Sequence, residues 1–389
     1  MISKCDTRWR RPSTDEELRE AAQWIDSHVA DLYPELAGAG PRRIADLVRA
    51  AGDRFPAVLP AQTVREYDAG LPPKQQLRLE RDQAQLIRAL LRHPETSPKV
   101  LTDMRAPLPE SARYAQQFDA TGRLSLQSVV VERRDGFAEV TMCNTMTLNA
   151  ENNQLARDLE VAVDVVSLSQ TVGAGVLRGA PMEHASYAGK RVFSAGINLK
   201  DLGCGRISYL DFLIGREAGL LAKLVRGVHC LQIRRDMARP WIAVVDSFAI
   251  GGGMQLTLAC DHVVAVDDAW FSLPAAAEGI VPGIANLRLP RRVGPRLARE
   301  VILCGRRLSA TESLDAGLLD AVVAGDDVAG HLQDTVRTLG EPAVGPNKLM
   351  LSYGIEPEVD FATYLAEFAV VQAERIHADD VRQKLPMPR

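Results

Sequence analysis

Three consecutive glycines, Gly251 to Gly253, lead into Met254 and Gln255 in the stretch AIGGGMQLTLACD. Glycine lets the backbone approach a ligand closely and adopt conformations barred to other residues. The residues that follow read as a helix, so the amides of the triplet sit at its positive N-terminal end. Amides placed there suit an oxygen that gains negative charge. Gln255 stands where an acid or base would serve proton transfer, yet its amide carries no charge at ordinary pH. A second glycine turn, RVFSAGINLKDL, also follows an apolar run. Each turn can aim one N–H at a shared point, and a pair of donors is what a polarised carbonyl or thioester oxygen needs.

The elements that must position these turns alternate in type. LQSVVVERRDGFAEVTMC reads as a hairpin with Asp135 and Gly136 at its turn. GAGVLRG and WIAVVDSF are runs of the kind buried strands show, and HVVAV and AWFSLP read as short strands. NAENNQLARDLEVAVDVV and ISYLDFLIGREAGLLAKLVRGV read as helices, the second capped by Ser208 toward Asp211. Such alternation predicts an α/β core. Ahead of it, residues 1–125 read as an all-α domain: STDEELREAAQWIDSHVADLY with a Ser13 cap and Glu16, then PRRIADLVRAAGDRF and PKQQLRLERDQAQLIRALLRHP. Its charged faces, such as RLERD, read as solvated surface or a subunit contact. The polar stretch QQFDATGRLS marks the expected boundary, giving a core at 126–330 and a helical C-terminal region at 331–389 that includes DFATYLAEFAVVQAERI.

Composition excludes several classes. The 389 residues are 46% hydrophobic and 25% charged, with net charge −4, so no basic field points to nucleic acid. Six scattered cysteines form no CxxC pair, which predicts reduced thiols and a cytoplasmic setting. The N-terminal stretch has no apolar signal region, and no run of ~18 apolar residues predicts a membrane span. His377 and Asp379 have the His-x-Asp spacing of an iron site, but the other six histidines show no pairing, and no metal is expected. GAGVLRG lacks the last glycine of a dinucleotide fingerprint and the helix it should open.

On FSAGINL, RPWIAVVDSFAIGGGMQLTLACD, FSLPAAAEGIVPG and LSATESLDAGLLDAVV, roughly 128–330, the chain resembles the crotonase (enoyl-CoA hydratase/isomerase) superfamily. That resemblance implies a crotonase-like α/β spiral of ββα turns, preceded here by the all-α N-terminal domain and followed by C-terminal helices. It also implies homotrimers or dimers of trimers, a CoA thioester substrate, and oxyanion amides at Ile197 and Gly252. Hydratases of the superfamily carry glutamates where this chain has Gln255 and Ala275, so water addition is disfavoured; Glu278 is the nearest acid.

TLNAENNQLARDLE, GVLRGAPMEHASYAGKRVFSAGINLKDL and FSLPAAAEGIVPGIANLRL are similar to a cofactor-independent dioxygenase branch of that superfamily. The segment HCLQIRRDMARP, 229–240, is shorter than that branch leads one to expect. The resemblance implies oxidation of an arylacetyl-CoA, 3,5-dihydroxyphenylacetyl-CoA, by O2 to the glyoxylate and free CoA, without metal, flavin or haem. It places Glu151 near ring hydroxyls and gives Arg216 phenolate or peroxide charge to stabilise. Gln255 would hold the intermediate without protonating it, and His184 would carry a proton or touch CoA. Leu199, Ala275 and Ile280 would form a dry oxygen pocket. Read without the resemblance, Glu151 can serve a helix dipole, Arg216 can pair with a surface carboxylate, and His184 can be an ordinary loop residue. A hydratase, isomerase or thioesterase using Glu278, or a non-catalytic scaffold, stays open.

Overall fold

The computed structural model describes residues 9–38, 40–71 and 75–384, so Cys5 and the first eight residues lie outside the described chain. Its strands are β1 (Arg123–Ser125), β2 (Val129–Arg133), β3 (Phe137–Met142), β4 (Ala174–Gly179), β5 (Val228–Cys230) and β6 (Arg235–Met237). They continue as β7 (Trp241–Val245), β8 (Phe248–Ile250), β9 (His262–Val266), β10 (Trp270–Ser272), β11 (Leu308–Ser309) and β12 (Ala321–Val323). The main sheet runs β1-β2-β3-β4-β7-β9-β12. Its first three strands are antiparallel, and from β3 onward neighbours are parallel. β7 is buried at every position, as an unbroken apolar run requires when both faces of a sheet are covered. A second sheet, β11-β10-β8, carries the chain into the glycine triplet. The 229–240 segment closes on itself as the β5–β6 hairpin.

Among the described residues six α-helices precede β1, the last at Ser111–Thr121. The first, Asp15–Ala37, is capped one residue later than the sequence suggests. Thr14 and Glu17 form the capping box, while the Ser13 hydroxyl turns away to donate to Asp82 Oδ1 at 2.8 Å. The stretch expected as a polar boundary is largely helix. The helix Ser111–Thr121 runs into it and buries Ala115 and Phe118 toward the helix Asn153–Leu168, and the turn comes at Gly122, in left-handed conformation. The N-terminal helices share their core with the rest, since one apolar cluster runs from Ile25 through the sheet to Ala373. The helix Glu80–Arg92 lies along Glu358–Arg375, where Arg88 and Arg92 both meet Glu367.

The helix expected at 207–228 is wound more loosely than an α-helix. Tyr209–Ile214 and Glu217–Leu221 are π-helical, with α geometry at Gly215 and Arg216 between them and again at Ala222–Arg226. The Ser208 cap on Asp211 N–H is present. π-Turns recur where a helix must aim a functional side chain, and Arg216 sits between the two.

Candidate active site

Two turns meet at the end of β8. Ser194 is bridged in parallel to Ala249, and Ile250 N–H donates to Ser194 O at 2.9 Å. The Ser194 hydroxyl donates to Asn149 O at 2.9 Å and accepts from Gly196 N–H at 3.1 Å, which folds the first turn. Gly196 has φ +84°, and a Cβ there would stand 3.0 Å from Ile250 O and 3.4 Å from Gly252 N. Only glycine fits, because the residue is left-handed and the two turns are in contact. Gly252 opens the helix Gly252–Ala259. Among the described residues, neither Ile197 N–H nor Gly252 N–H has a hydrogen-bond partner, and both residues line one small cavity.

Glu151 is fixed beside the first turn by its backbone. Its N–H donates to Gly196 O at 2.7 Å, and its carbonyl accepts from Asn198 N–H at 2.8 Å. The preceding Leu148 and Asn149 are left-handed, with φ of 57° and 52°. The buried Asn149 side chain holds that bend by accepting from Asn144 N–H and donating to Val192 O, both at 2.8 Å. Helix capping falls to Asn152, whose side chain accepts from Leu155 N–H. The Glu151 carboxylate is therefore spent elsewhere.

Its partner is Arg216. Arg216 Nε donates to Glu151 Oε2 at 2.6 Å, and Nη1 donates to Gln255 Oε1 at 2.7 Å and Glu217 Oε1 at 2.9 Å. Nη2 donates to Gly252 O at 2.9 Å. Four of the five guanidinium N–H groups are committed, all inside the protein. Burial alone would lower the Arg216 pKa, but the charges of Glu151 and Glu217 outweigh it and raise it. Burial pushes the Glu217 carboxyl above its ordinary value although Arg216 opposes this, and Glu217 Oε2 accepts from Ile284 N–H at 2.8 Å. An arginine only donates, so it fixes the Gln255 amide with oxygen toward Arg216 and leaves the NH2 end for the cavity. Among the described residues Glu151 Oε1 is buried without a hydrogen-bond partner, and it lies against Gly252, where a Cβ would stand 2.1 Å from it. A buried unpaired carboxylate oxygen is costly and marks a place where a ligand donor belongs.

The cavity, of about 50 Å³, is lined by Ile197, Gly252, Glu151, Arg216, Gln255, Ala275 and Ile280, with Glu278 at its edge. Burial raises the Glu278 carboxyl. Leu199 does not line the cavity, but it packs against the Ala275–Ile280 cluster from outside. His184 is not brought there. It sits half-buried in its loop, accepts from Ser186 N–H at 3.3 Å and tilts against Tyr187. None of 229–240 lines the cavity. His377 meets Glu80 instead of pairing with Asp379, and no group of three or more His, Cys, Asp or Glu among the described residues is set to hold a metal ion.

Sequence reading missed Glu217, Phe368, Gln372 and Val381. The charged pair Arg216–Glu217 within an otherwise apolar helix was a signal that both side chains are paired inside. Nothing near Val381 announced its place, because it packs on Ala275 and Ile280 from a hundred positions away in the chain.

The family model for enoyl-CoA hydratase/isomerase matches residues 132–352. The chain is 42% identical over 375 residues to a (3,5-dihydroxyphenyl)acetyl-CoA 1,2-dioxygenase of Amycolatopsis orientalis, covering 95% of this chain and 86% of that one. It is 33% identical over 204 residues to a probable enoyl-CoA hydratase of Rhizobium meliloti, covering 52% of this chain and 71% of that one. Among solved structures, an enoyl-CoA hydratase/isomerase from Mycobacterium paratuberculosis superposes with TM-score 0.56 at 24% identity, over 67% of this chain and 97% of that one.

Proposed function

The chain belongs to the enoyl-CoA hydratase/isomerase family, and from that premise we propose that it is a dioxygenase converting 3,5-dihydroxyphenylacetyl-CoA and O2 to 3,5-dihydroxyphenylglyoxylate and free CoA, with no cofactor. One observation carries the reading: Ile197 and Gly252, whose N–H groups are unpartnered among the described residues, line one cavity with the free Glu151 Oε1 and with Gln255 and Ala275, the two positions where the superfamily resemblance leads one to expect glutamates.

The thioester oxygen accepts from Ile197 and Gly252 N–H, which stabilises the enolate and acidifies the α-carbon. Glu278, at the edge of the cavity with a burial-raised carboxyl, takes the α-proton and passes it to solvent. Glu151 Oε1 accepts from a ring hydroxyl, which keeps the ring electron-rich. Arg216 acts by holding Glu151 and Gln255 in place. The enolate passes one electron to O2, and the superoxide and the α-carbon radical so formed combine into a peroxide at the α-carbon, against Ala275 and Ile280 with Leu199 behind them. The outer peroxide oxygen attacks the thioester carbonyl, and CoA leaves as thiolate. The four-membered ring then opens: the O–O bond breaks, the second α-hydrogen departs as a proton, and a ketone and a carboxylate remain. Both atoms of O2 end in the product.

Exposed Met350, Leu351, Tyr353 and Ile355 on the helix Val344–Ile355 support a homotrimer or a dimer of trimers. A cytoplasmic setting goes with this reading; no helix of the described residues is long and apolar enough to cross a membrane. The test is an oxygen electrode with 3,5-dihydroxyphenylacetyl-CoA after exhaustive chelation, followed by mass spectrometry under ¹⁸O2. Two labelled atoms in the glyoxylate are expected. Thioester loss without oxygen uptake would return the chain to hydratase or thioesterase chemistry, and stoichiometric iron whose removal stops turnover would overturn the cofactor-free part.

A further inference from the structure

One wall of the reacting cavity is closed from outside by a late segment of the chain. Val381 has no exposed surface and packs on Ala275 and Ile280, with Leu199, Leu202 and Ala378 at the edges of the cluster. It belongs to a helix of only six residues, Asp379–Lys384, too short to hold its place by its own hydrogen bonds. The segment is tied down from two sides. Arg375 donates to Gly279 O and to Asp380 Oδ2, both at 2.6 Å, which anchors it to the turn after Ala275. His377 Nε2 meets Glu80 Oε2 at 2.6 Å, which anchors it to the first turn of the N-terminal helix Glu80–Arg92.

Just beyond this tie lies a larger cavity, about 740 Å³ and open to the surface. Glu80, His377 and Asp379 line it together with Leu202 and Leu213. Leu213 lines the reacting cavity as well, and Leu202 touches the Val381 cluster. A thin apolar partition and the tied segment therefore separate the two spaces.

We propose that Glu80 and His377 are positioning residues whose hydrogen bond latches segment 376–384 over the Ala275–Ile280 wall and so keeps water from the carbanion. This rests on the dioxygenase reading, because only a carbanion waiting for oxygen is harmed by a proton from water. It also gives the N-terminal helices a part in the chemistry: Glu80 is their contribution to the closed wall. Once the latch is lost, Val381 moves out, the outer cavity joins the inner one, and protonation competes with oxygen.

The experiment uses the full chain with Glu80→Ala, Glu80→Gln and, as control, Arg92→Ala. Arg92 supports the same helix pair through Glu367 but does not touch segment 376–384. Two rates are measured in D2O with the arylacetyl-CoA: oxygen uptake and deuterium entry at the α-carbon. Hydrogen exchange of residues 376–384 is followed on the same proteins. In Glu80→Ala the ratio of deuterium entry to oxygen uptake is expected to rise about tenfold, with faster exchange in 376–384. Glu80→Gln keeps an acceptor without the charge and should fall between. Arg92→Ala should keep the wild-type ratio. A general loss of stability lowers both rates together and leaves the ratio alone, so an unchanged ratio in Glu80→Ala overturns the proposal. So does a segment that stays protected, or an Arg92→Ala ratio that rises as much. Failure of the wild-type protein to take up oxygen would sink the dioxygenase reading instead, and hydrogen exchange would still decide whether Glu80 holds the segment.

Discussion

Gln255 gives its oxygen to Arg216, and Arg216 already faces the carboxylates of Glu151 and Glu217. A third carboxylate at the same guanidinium would be buried beside two like charges, and both effects raise its pKa. Gln255→Glu is nearly isosteric, so it should fold and carry a protonated acid next to the enolate. Oxygen uptake is expected to fall and α-deuterium incorporation to rise in the same sample; wild-type values of both would move Gln255 away from the reacting carbon. Gly252 is constrained in a different way. A methyl group there would stand 2.1 Å from Glu151 Oε1, and Glu151 cannot step aside while Arg216 holds its other oxygen. Gly252→Ala should therefore push the turn away from the thioester oxygen. Losing one oxyanion donor typically costs ~2.7–4 kcal/mol of transition-state stabilisation, so kcat/KM from oxygen uptake should fall by about a hundredfold or more while the thermal midpoint moves little. Normal turnover in a folded Gly252→Ala protein would mean that the oxyanion lies elsewhere.

Among the elements, the left-handed bend at Leu148 and Asn149 does the most to aim the site, since it delivers Glu151 to the first glycine turn. The left-handed conformation costs an ordinary L-residue ~1–2 kcal/mol and asparagine visits it more readily than alanine, and the Asn149 side chain also satisfies two backbone groups. Asn149→Ala should lose both benefits, whereas Asn149→Gly relieves the backbone and loses only the hydrogen bonds. In chemical denaturation both should be destabilised, alanine more than glycine by about 1 kcal/mol; equal losses would show that backbone strain plays no part. Strands and most helices were legible in the chain because burial imprints period 2 or 3.6 on apolar residues. The glycine turns were legible because few other residues can make them. Winding was not: the run Tyr209 to Leu221 has the apolar spacing of an α-helix, and that spacing does not distinguish the two π segments that flank Arg216 from an α-helix. The roles of Arg216 and His184 were legible only as residue types. A basic group near a site reads alike whether it meets substrate or is enclosed by carboxylates, and a loop histidine reads alike on either side of the wall.

At the scale of the molecule, the N-terminal helices are joined to the sheet by charge as well as by apolar packing. Arg43, the residue just before the helix Ile44–Arg54, donates to both oxygens of Glu160, at 2.7 and 3.0 Å. The Lys223 side chain is wholly buried and meets Glu160 and Asp164, each at 2.8 Å. Asp164 also accepts from Leu108 N–H and the Ser111 hydroxyl, which ties down the last N-terminal helix. Two cations thus face two carboxylates. Burial raises the Asp164 carboxyl, whereas at Glu160 the charges of Arg43 and Lys223 overcome burial and hold the carboxyl below its usual value. A depressed carboxyl stabilises the fold above the unfolded-state pKa, and that stability is lost as pH falls through the folded-state value. Arg43→Ala leaves one surplus negative charge in the cluster. Removing one partner of a buried pair costs ~3–5 kcal/mol, and because Arg43 is a quarter exposed the loss should lie at the low end of that range. Urea denaturation at neutral pH should show this loss. Repeated below pH ~4.5, the ordinary range of glutamate, it should show a smaller gap between Arg43→Ala and wild type, because the acid has by then removed from the wild type part of what the variant already lacks. A gap that stays constant across pH would mean that the N-terminal helices are held on the sheet by their apolar faces alone, with Arg43 contributing packing through its stem and no charge.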